Sequence, residues 1–276
     1  MHEFVSFNGE LVSADAANIS AASPAALYGK GVFTTLAING GLPLLFEKHW
    51  RRLKNDASKL QIDLADLSEL TVERDLGSLI RANSLAHGKA RITFFDRSAG
   101  TRWKATSASK TAILIMTGDR RIAGTVLRIG LSPYRISSSS PLAGVKSCNY
   151  LENILAIDDA VRNGLDEAIR LNERGEITSA CMANIFWIKN GRCFTPSLRT
   201  GCLSGTVREF VMENIDCEEI ASYAEALTDT DGIFLTSSGI GVAAAWEFNG
   251  VKLPRPRHPI LELLPFRAQQ NTNPHE

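Results

Sequence analysis

Apolar and polar residues alternate along Phe4-Val5-Ser6-Phe7-Asn8-Gly9-Glu10-Leu11-Val12. That pattern predicts a β-hairpin, because an Asn-Gly pair tolerates the positive φ angles of a two-residue turn. The glycines of Tyr28-Gly29-Lys30-Gly31 predict a tight turn, and the β-branched and aromatic run Val32-Phe33-Thr34-Thr35-Leu36 after it predicts a strand. A second Asn-Gly, Asn39-Gly40, predicts another hairpin into Leu42 to Phe46. From Glu47 to Leu60 the period changes to that of an amphipathic helix, and a second helix is expected over about 68–86. Ala90 to Phe95 and Thr111 to Met116 read as strands, separated by a polar, glycine-bearing loop that begins with Asp96 to Arg102.

Thr117-Gly118-Asp119-Arg120-Arg121 is short, polar and glycine-containing, and it is the best candidate for a linker. It predicts a smaller N-terminal domain over 1–117, a linker over 118–123, a larger C-terminal domain over 124–270 and a disordered polar tail over 271–276. In the second half, Val126 to Leu131, Ala168 to Leu171, Ile185 to Ile188 and Gly232 to Leu235 read as strands. Between the first two, Leu151, Ile154, Leu155, Ile157 and Val161 recur at helical spacing, which predicts a helix from Tyr150 to about 163. Many hairpins, without strict β-α-β alternation, favour an α+β, or mixed α/β, fold. No Gly-x-Gly-x-x-Gly follows a strand, so a dinucleotide fold is not supported.

With hydrophobic residues at 44% of 276, the chain has enough apolar material for a sizeable core. Its 30 basic and 30 acidic residues cancel, which gives no support to a nucleic-acid or membrane-surface role. No apolar run reaches the ~18–20 residues that a membrane span needs, and Met1-His2-Glu3-Phe4 carries no secretory pattern. The 5 cysteines are an odd number with no Cys-x-x-Cys pair, so reduced thiols and a cytoplasmic location are expected. Scattered histidines give no metal-like spacing, and no metal is expected.

Four places carry candidate chemistry. Lys146, in Ala143-Gly144-Val145-Lys146-Ser147-Cys148-Asn149-Tyr150, stands between a loop and a helix. An amine held among apolar and hydroxyl neighbours loses its proton easily and becomes a nucleophile for carbonyls. Gly201-Cys202-Leu203-Ser204-Gly205-Thr206-Val207-Arg208 opens a predicted helix, where backbone N–H groups and the helix dipole suit an anion. Thr236-Ser237-Ser238-Gly239 follows an apolar strand and offers hydroxyls to the same kind of ligand, and Arg52 is a further anion contact. A nucleophilic lysine with a phosphate cradle points to pyridoxal 5'-phosphate.

The chain resembles the class IV pyridoxal-phosphate enzymes: branched-chain aminotransferase, D-amino-acid aminotransferase and aminodeoxychorismate lyase. The matching pieces, in order, are Tyr28 to Thr35, His49-Trp50-Arg51-Arg52-Leu53, Gly144 to Leu151, Ala183-Asn184-Ile185-Phe186, Thr195-Pro196, Gly201-x-x-x-Gly205-x-x-Arg208 and Thr236-Ser237-Ser238. The resemblance implies the fold-type IV architecture, two domains with the cofactor at their interface, and a homodimer. It implies that Lys146 bonds to the cofactor aldehyde and shuttles the substrate Cα proton. It also implies that Arg52, Gly205, Thr206, Val207 and Ser238 hold the phosphate, that Tyr150 faces the phenolic oxygen, and that Asn184 belongs to the cofactor-binding strand.

Tyr28, Phe33, Thr34 and Thr35 would line the substrate side, with Thr35 or a neighbour assisting the leaving group. Arg97 and Arg102 would grip the acid groups of an amino-acid-like small molecule. The Phe33-Thr34-Thr35-Leu36 pattern is closest to that of the lyase, which releases pyruvate and leaves 4-aminobenzoate, a folate precursor. An aminotransferase acting on D- or branched-chain amino acids is the alternative. One position departs from the family. Where the pyridine nitrogen has a glutamate partner, this chain has Ser179, while Glu176 stands three residues upstream and, on a regular strand, points the other way. A serine leaves the ring a poorer electron sink. Transamination would then be impaired while elimination survives, or the protein would be a weakened or inactive relative.

Overall fold

The structure is a computed structural model that describes residues 1–98, 110–119, 126–254 and 257–263. The chain divides into two compact units, one of Met1–Arg121 with Val145–Glu152, the other of Ile122–Gly144 with Asn153–Glu276. The predicted tail, most of the predicted linker and Arg102 lie outside the described residues.

The first unit contains β1 (Phe4–Phe7), β2 (Glu10–Ser13), α1 (Pro24–Tyr28), β3 (Gly31–Asn39), β4 (Leu42–Pro43), α2 (Phe46–Lys59), α3 (Glu69–Ala82), β5 (His87–Asp96) and β6 (Thr111–Gly118). Its strands form a six-stranded sheet in the order β2-β1-β6-β5-β3-β4. The first hairpin turns at Asn8 and Gly9, with φ of 52° and 86°, as the Asn-Gly pair predicts. The second turns at Gly40 and Gly41, with φ of 57° and 76°, because β3 runs on through Asn39.

Alternate β3 residues Val32, Leu36 and Ile38 pack with Ala90, Ile92 and Phe94 of β5 against Phe46, Trp50, Leu53 and Ala57 of α2 and Val72, Leu76 and Leu79 of α3. The helix positions recur every three or four residues, so each helix buries one stripe. Ser68 caps α3 by accepting the Thr71 N–H at 3.1 Å. The helix ends at Ala82, sooner than the pattern predicts, because the chain turns through Ser84 at φ 49° before β5.

The second unit contains β7 (Val126–Leu131), most of α4 (Leu151–Arg162), β8 (Glu167–Leu171), β9 (Ile177–Ala180), β10 (Asn184–Lys189), β11 (Arg192–Pro196), α5 (Thr206–Asn214), β12 (Cys217–Ile220), β13 (Gly232–Ser237), β14 (Gly241–Phe248) and β15 (Val251–Lys252). They form a nine-stranded sheet whose main path is β12-β11-β10-β13-β14-β7-β8-β9, with β15 paired to β14. Ile129, Ile169, Ile185, Trp187, Ile233, Leu235 and Ala245 are buried in its core. Parallel pairs such as β7–β8 stand among antiparallel hairpins, which is the expected mixed α+β arrangement.

Helix α4 forms where predicted, but its apolar side does not face the core. Leu151, Ile154, Leu155 and Val161 are 63%, 42%, 44% and 56% exposed, whereas Ala156 and Ala160 are buried. Small alanines let the helix lie close to its own unit, Ile157 packs half-buried beside them, and Leu151, Ile154, Leu155 and Val161 point to solvent.

The stretch Val145–Glu152 belongs to the first unit although it follows β7 in sequence. Backbone pairing to β3 explains this. The Phe33 N–H donates to Lys146 O at 2.9 Å, and the Cys148 N–H donates to Gly31 O at 2.8 Å. Gly29 and Gly31 permit the approach. A Cβ on Gly31 would stand 2.9 Å from Cys148 Sγ, and one on Gly29 would stand 3.1 Å from the Asn149 backbone, at a φ of 62°.

Candidate active site

Lys146 stands at the centre of a polar cluster in the first unit. Its Nζ lies 3.4 Å from Tyr150 Oη, 4.7 Å from the Phe33 ring centroid and 4.9 Å from the Tyr150 ring centroid. Phe33 and Tyr150 meet edge to face at 5.2 Å, which holds both rings beside the amine. Desolvation, with the positive charges of Arg52 and Arg91, lowers the Lys146 pKa to about 7, against a smaller raising effect of Asp56. An amine in that state is a nucleophile and a proton acceptor at neutral pH.

The segment is fixed from α2. Asp56 Oδ2 accepts the Lys146 backbone N–H at 3.1 Å. Arg52, one helical turn earlier, donates from Nη2 to Thr34 Oγ1 at 2.6 Å, and the same hydroxyl lies 2.5 Å from His49 Nδ1. Burial, reinforced by Arg52 and Lys146, keeps His49 well below its ordinary pKa, so its ring is neutral. Thr34 therefore clamps α2 to β3 and orients Arg52.

On the opposite face of β3, Arg91 stacks its guanidinium carbon 3.5 Å from the Phe33 ring centroid, and Thr35 is its register partner. Arg91 is therefore a cation beside the lysine. Neither it nor Asp56 is singled out by the sequence. Strand alternation with Phe33 and helical spacing from Arg52 are the signals that point to them.

Other predicted residues of this unit lie elsewhere. Tyr28 ends α1 and is 54% exposed. Arg97 is exposed, and its backbone N–H donates to Lys110 O at 2.8 Å.

In the second unit, α5 starts on Gly205, which offers no side-chain cap, so the first-turn N–H groups and the helix dipole suit an anion. A Cβ on Gly205 would fall 2.0 Å from Asn184 Oδ1, so only glycine fits there. Asn184 Nδ2 donates to Leu203 O at 2.8 Å, which shapes the turn before the helix. Thr206 Oγ1 and Ser238 Oγ lie 3.4 Å apart, and Val207 is buried. Thr236 Oγ1 is buried with no hydrogen-bond partner among the described residues.

Ser179 is buried on β9, opposite Arg170 of β8. Arg170 is also buried and donates to Tyr134 O and Arg135 O at 3.1 and 3.0 Å. Glu176 does not replace the missing carboxylate, since Asn172 Nδ2 at 2.6 Å and Arg174 Nη2 at 2.7 Å both donate to its Oε2.

A neutral amine beside a phenol suits a covalent bond to an aldehyde, and a helix start with neighbouring hydroxyls suits a phosphate. The amine and phenol belong to the first unit, and the helix start with its hydroxyls belongs to the second. The model of the Amino-transferase class IV family matches residues 31–247. The chain belongs to this family.

This class IV chain is 30% identical over 277 residues to the aminodeoxychorismate lyase of Bacillus subtilis (strain 168), covering 96% of this chain and 86% of that one. It is similar in fold to the branched-chain amino acid aminotransferase of Escherichia coli, with a TM-score of 0.86, 22% identity, and 92% and 89% of the two chains covered. It is also similar in fold to a T.th. branched-chain amino acid aminotransferase solved with pyridoxamine 5'-phosphate, with a TM-score of 0.84, 19% identity, and 95% and 91% covered. As a class IV enzyme the chain is a lyase or an aminotransferase, and homologues in the family bind pyridoxal phosphate. No described helix is long and apolar enough to cross a membrane.

Proposed function

We propose that this class IV enzyme is an aminodeoxychorismate lyase that uses pyridoxal 5'-phosphate and works as a homodimer in the cytoplasm. The observation that carries the proposal is Lys146, an amine with pKa lowered to about 7, set beside Tyr150 and Arg91, in a chain with Ser179 at the family's glutamate position. Likeness to the Bacillus subtilis lyase over 96% of the chain supports the same reading.

Lys146, Tyr150 and Arg52 from the first unit, and Thr206, Val207 and Ser238 from the second, are the residues proposed to hold the cofactor. When bound, the cofactor supplies an electron sink for the amine-bearing carbon of the substrate. Lys146 takes the proton from that carbon. The C–O bond on the neighbouring carbon breaks, the enolpyruvyl group gains a proton and leaves as pyruvate, and the ring is left aromatic as 4-aminobenzoate. The products together have the composition of the substrate, so no water or redox partner is consumed. Arg91, Arg97 and Arg102 are the cations proposed for the substrate's two carboxylates, and Arg91 is the one beside the lysine. Phe33 and Thr35 are proposed to line the same side, with Thr35 donating to the departing oxygen.

Ser179 supports elimination over transamination, because a hydroxyl does not hold a pyridine nitrogen protonated as a carboxylate does. The test is to give the cofactor-loaded protein 4-amino-4-deoxychorismate and follow pyruvate. Stoichiometric pyruvate and 4-aminobenzoate are expected. If no pyruvate forms while the protein exchanges amino groups between amino acids and 2-oxo acids, it is an aminotransferase instead.

A further inference from the structure

Cys193 and Cys217 occupy register-paired positions on the parallel strands β11 and β12. Their Sγ atoms are 2.7 Å apart, and both are free thiols. Neighbouring strands stand ~4.8 Å apart, inside the ~4.4–6.8 Å Cα separation that a disulfide spans. The other cysteines are placed differently. Cys181 and Cys202 direct their thiols at backbone carbonyls, and Cys148 lies near Arg91. Strand β12 is the edge of its sheet, and Cys217 on it is half-buried, while Cys193 lies beneath it at 4% exposure.

We propose that Cys193 and Cys217 are an oxidisable pair, in which a hydroperoxide converts the two thiols into a disulfide that staples β12 to β11. Cys217 is the first to react. Hydrogen bonding to Cys193 draws its pKa down against burial and the charge of Asp216, and Arg208 acts in the same direction. Cys193 is pushed up by its hydrogen bond to Cys217 and by burial, so it stays protonated while Cys217 reacts first.

The Cys217 thiolate attacks one peroxide oxygen, the O–O bond breaks, and the leaving oxygen takes up protons as water (an alcohol if the peroxide is organic). Cys193 sulfur then attacks the sulfenic sulfur of Cys217, the S–O bond breaks, and a second molecule of water leaves. Two thiols lose two electrons and two protons, and the peroxide is reduced.

The cross-link has a consequence for α5. Its two ends are 24 positions apart in sequence and enclose Gly205, Thr206 and Val207. Arg208 of α5 already ties the same strands, donating to Pro196 O of β11 at 3.0 Å and pairing with Glu219 of β12 at 2.8 Å. A disulfide adds a covalent tie across that loop and restricts the unfolded chain.

The test treats the fully reduced, full-length protein with a small excess of hydrogen peroxide. Expected results are a loss of two titratable thiols under denaturing conditions, a Cys193–Cys217 cross-linked peptide by mass spectrometry, and a melting temperature raised by about 5 °C. All three should reverse with dithiothreitol. Cys217→Ser should abolish both the cross-link and the thermal shift. The proposal is overturned if the wild-type protein yields no such peptide, or if Cys217 is oxidised to sulfinic acid while Cys193 stays a thiol. The peptide map needs no variant, so instability of Cys217→Ser does not shield the idea.

Discussion

An amine that titrates near 7, as Lys146 does, is half neutral at a pH where an ordinary lysine, near ~10.4, is almost wholly charged. The sign follows from the causes. Burial and the cations Arg52 and Arg91 favour the neutral form, so removing a cation must raise the pKa. In the cofactor-free protein, the rate at which Lys146 reacts with a simple aldehyde should therefore rise through about pH 7 and level off above it. Arg91→Leu should move the midpoint upward. Peptide mapping of borohydride-trapped product measures both, and a midpoint near that of the surface lysines would contradict the reading.

Ser179 gives the second residue-scale prediction. A glutamate introduced there would lie opposite the buried Arg170, whose charge offsets the burial of a carboxylate. Ser179→Glu should then raise the half-reaction with an amino acid by about tenfold, equivalent to ~1.4 kcal/mol in the barrier. The bleaching rate of the bound cofactor's yellow band measures it, and an unchanged rate would show that the nitrogen's partner lies elsewhere.

Between elements, one hydroxyl makes the main connection. Thr34 of β3 meets both His49 and Arg52 of α2, so Thr34→Val removes one hydrogen bond from the buried His49 and one from the half-buried Arg52, at a cost of about 1–2 kcal/mol each. The variant should melt several degrees lower and bind pyridoxal 5'-phosphate about tenfold or more weakly, because Arg52 loses its orientation. Thr34→Ser should restore both. Loss of stability with unchanged affinity in a titration would assign Thr34 to packing alone.

Local patterns make much of this framework legible before any coordinates. The Asn8-Gly9 hairpin, the β3 strand, the α2 stripe and the helix after Gly205 each depend on near neighbours in sequence. Residues whose role depends on distant pairing are hidden. Asp56 and Arg91 read as solvated charges on a helix and a strand until the Lys146 stretch pairs back onto β3. In α4, periodicity reveals an apolar side but not which side is covered, and the buried side is made of Ala156 and Ala160. Tyr28, set in a matching motif, lies exposed at the end of α1.

At the scale of the whole molecule, the outward stripe of α4 carries the proposal of a homodimer. Leu151, Ile154, Leu155 and Val161 form a run of large apolar side chains in solvent, each at least 42% exposed. Such runs mark contact surfaces more often than free surface. A second copy of the same chain fits because the chain's formal net charge is zero, so no long-range repulsion opposes self-association. A helix pairing with its own copy about a twofold axis presents the same stripe from both sides, and the contact closes at two chains.

The chain mass is 30.1 kDa, so light scattering on the eluting protein should give twice that value. Leu155→Lys with Val161→Lys places two charges in each half of the contact. Because these side chains already face solvent within one chain, the fold of the single chain is not disturbed. The double variant should therefore run at the single-chain mass with an unchanged circular dichroism spectrum. A wild-type mass of one chain would remove the homodimer altogether. A double variant that still runs at twice the mass would move the contact away from α4.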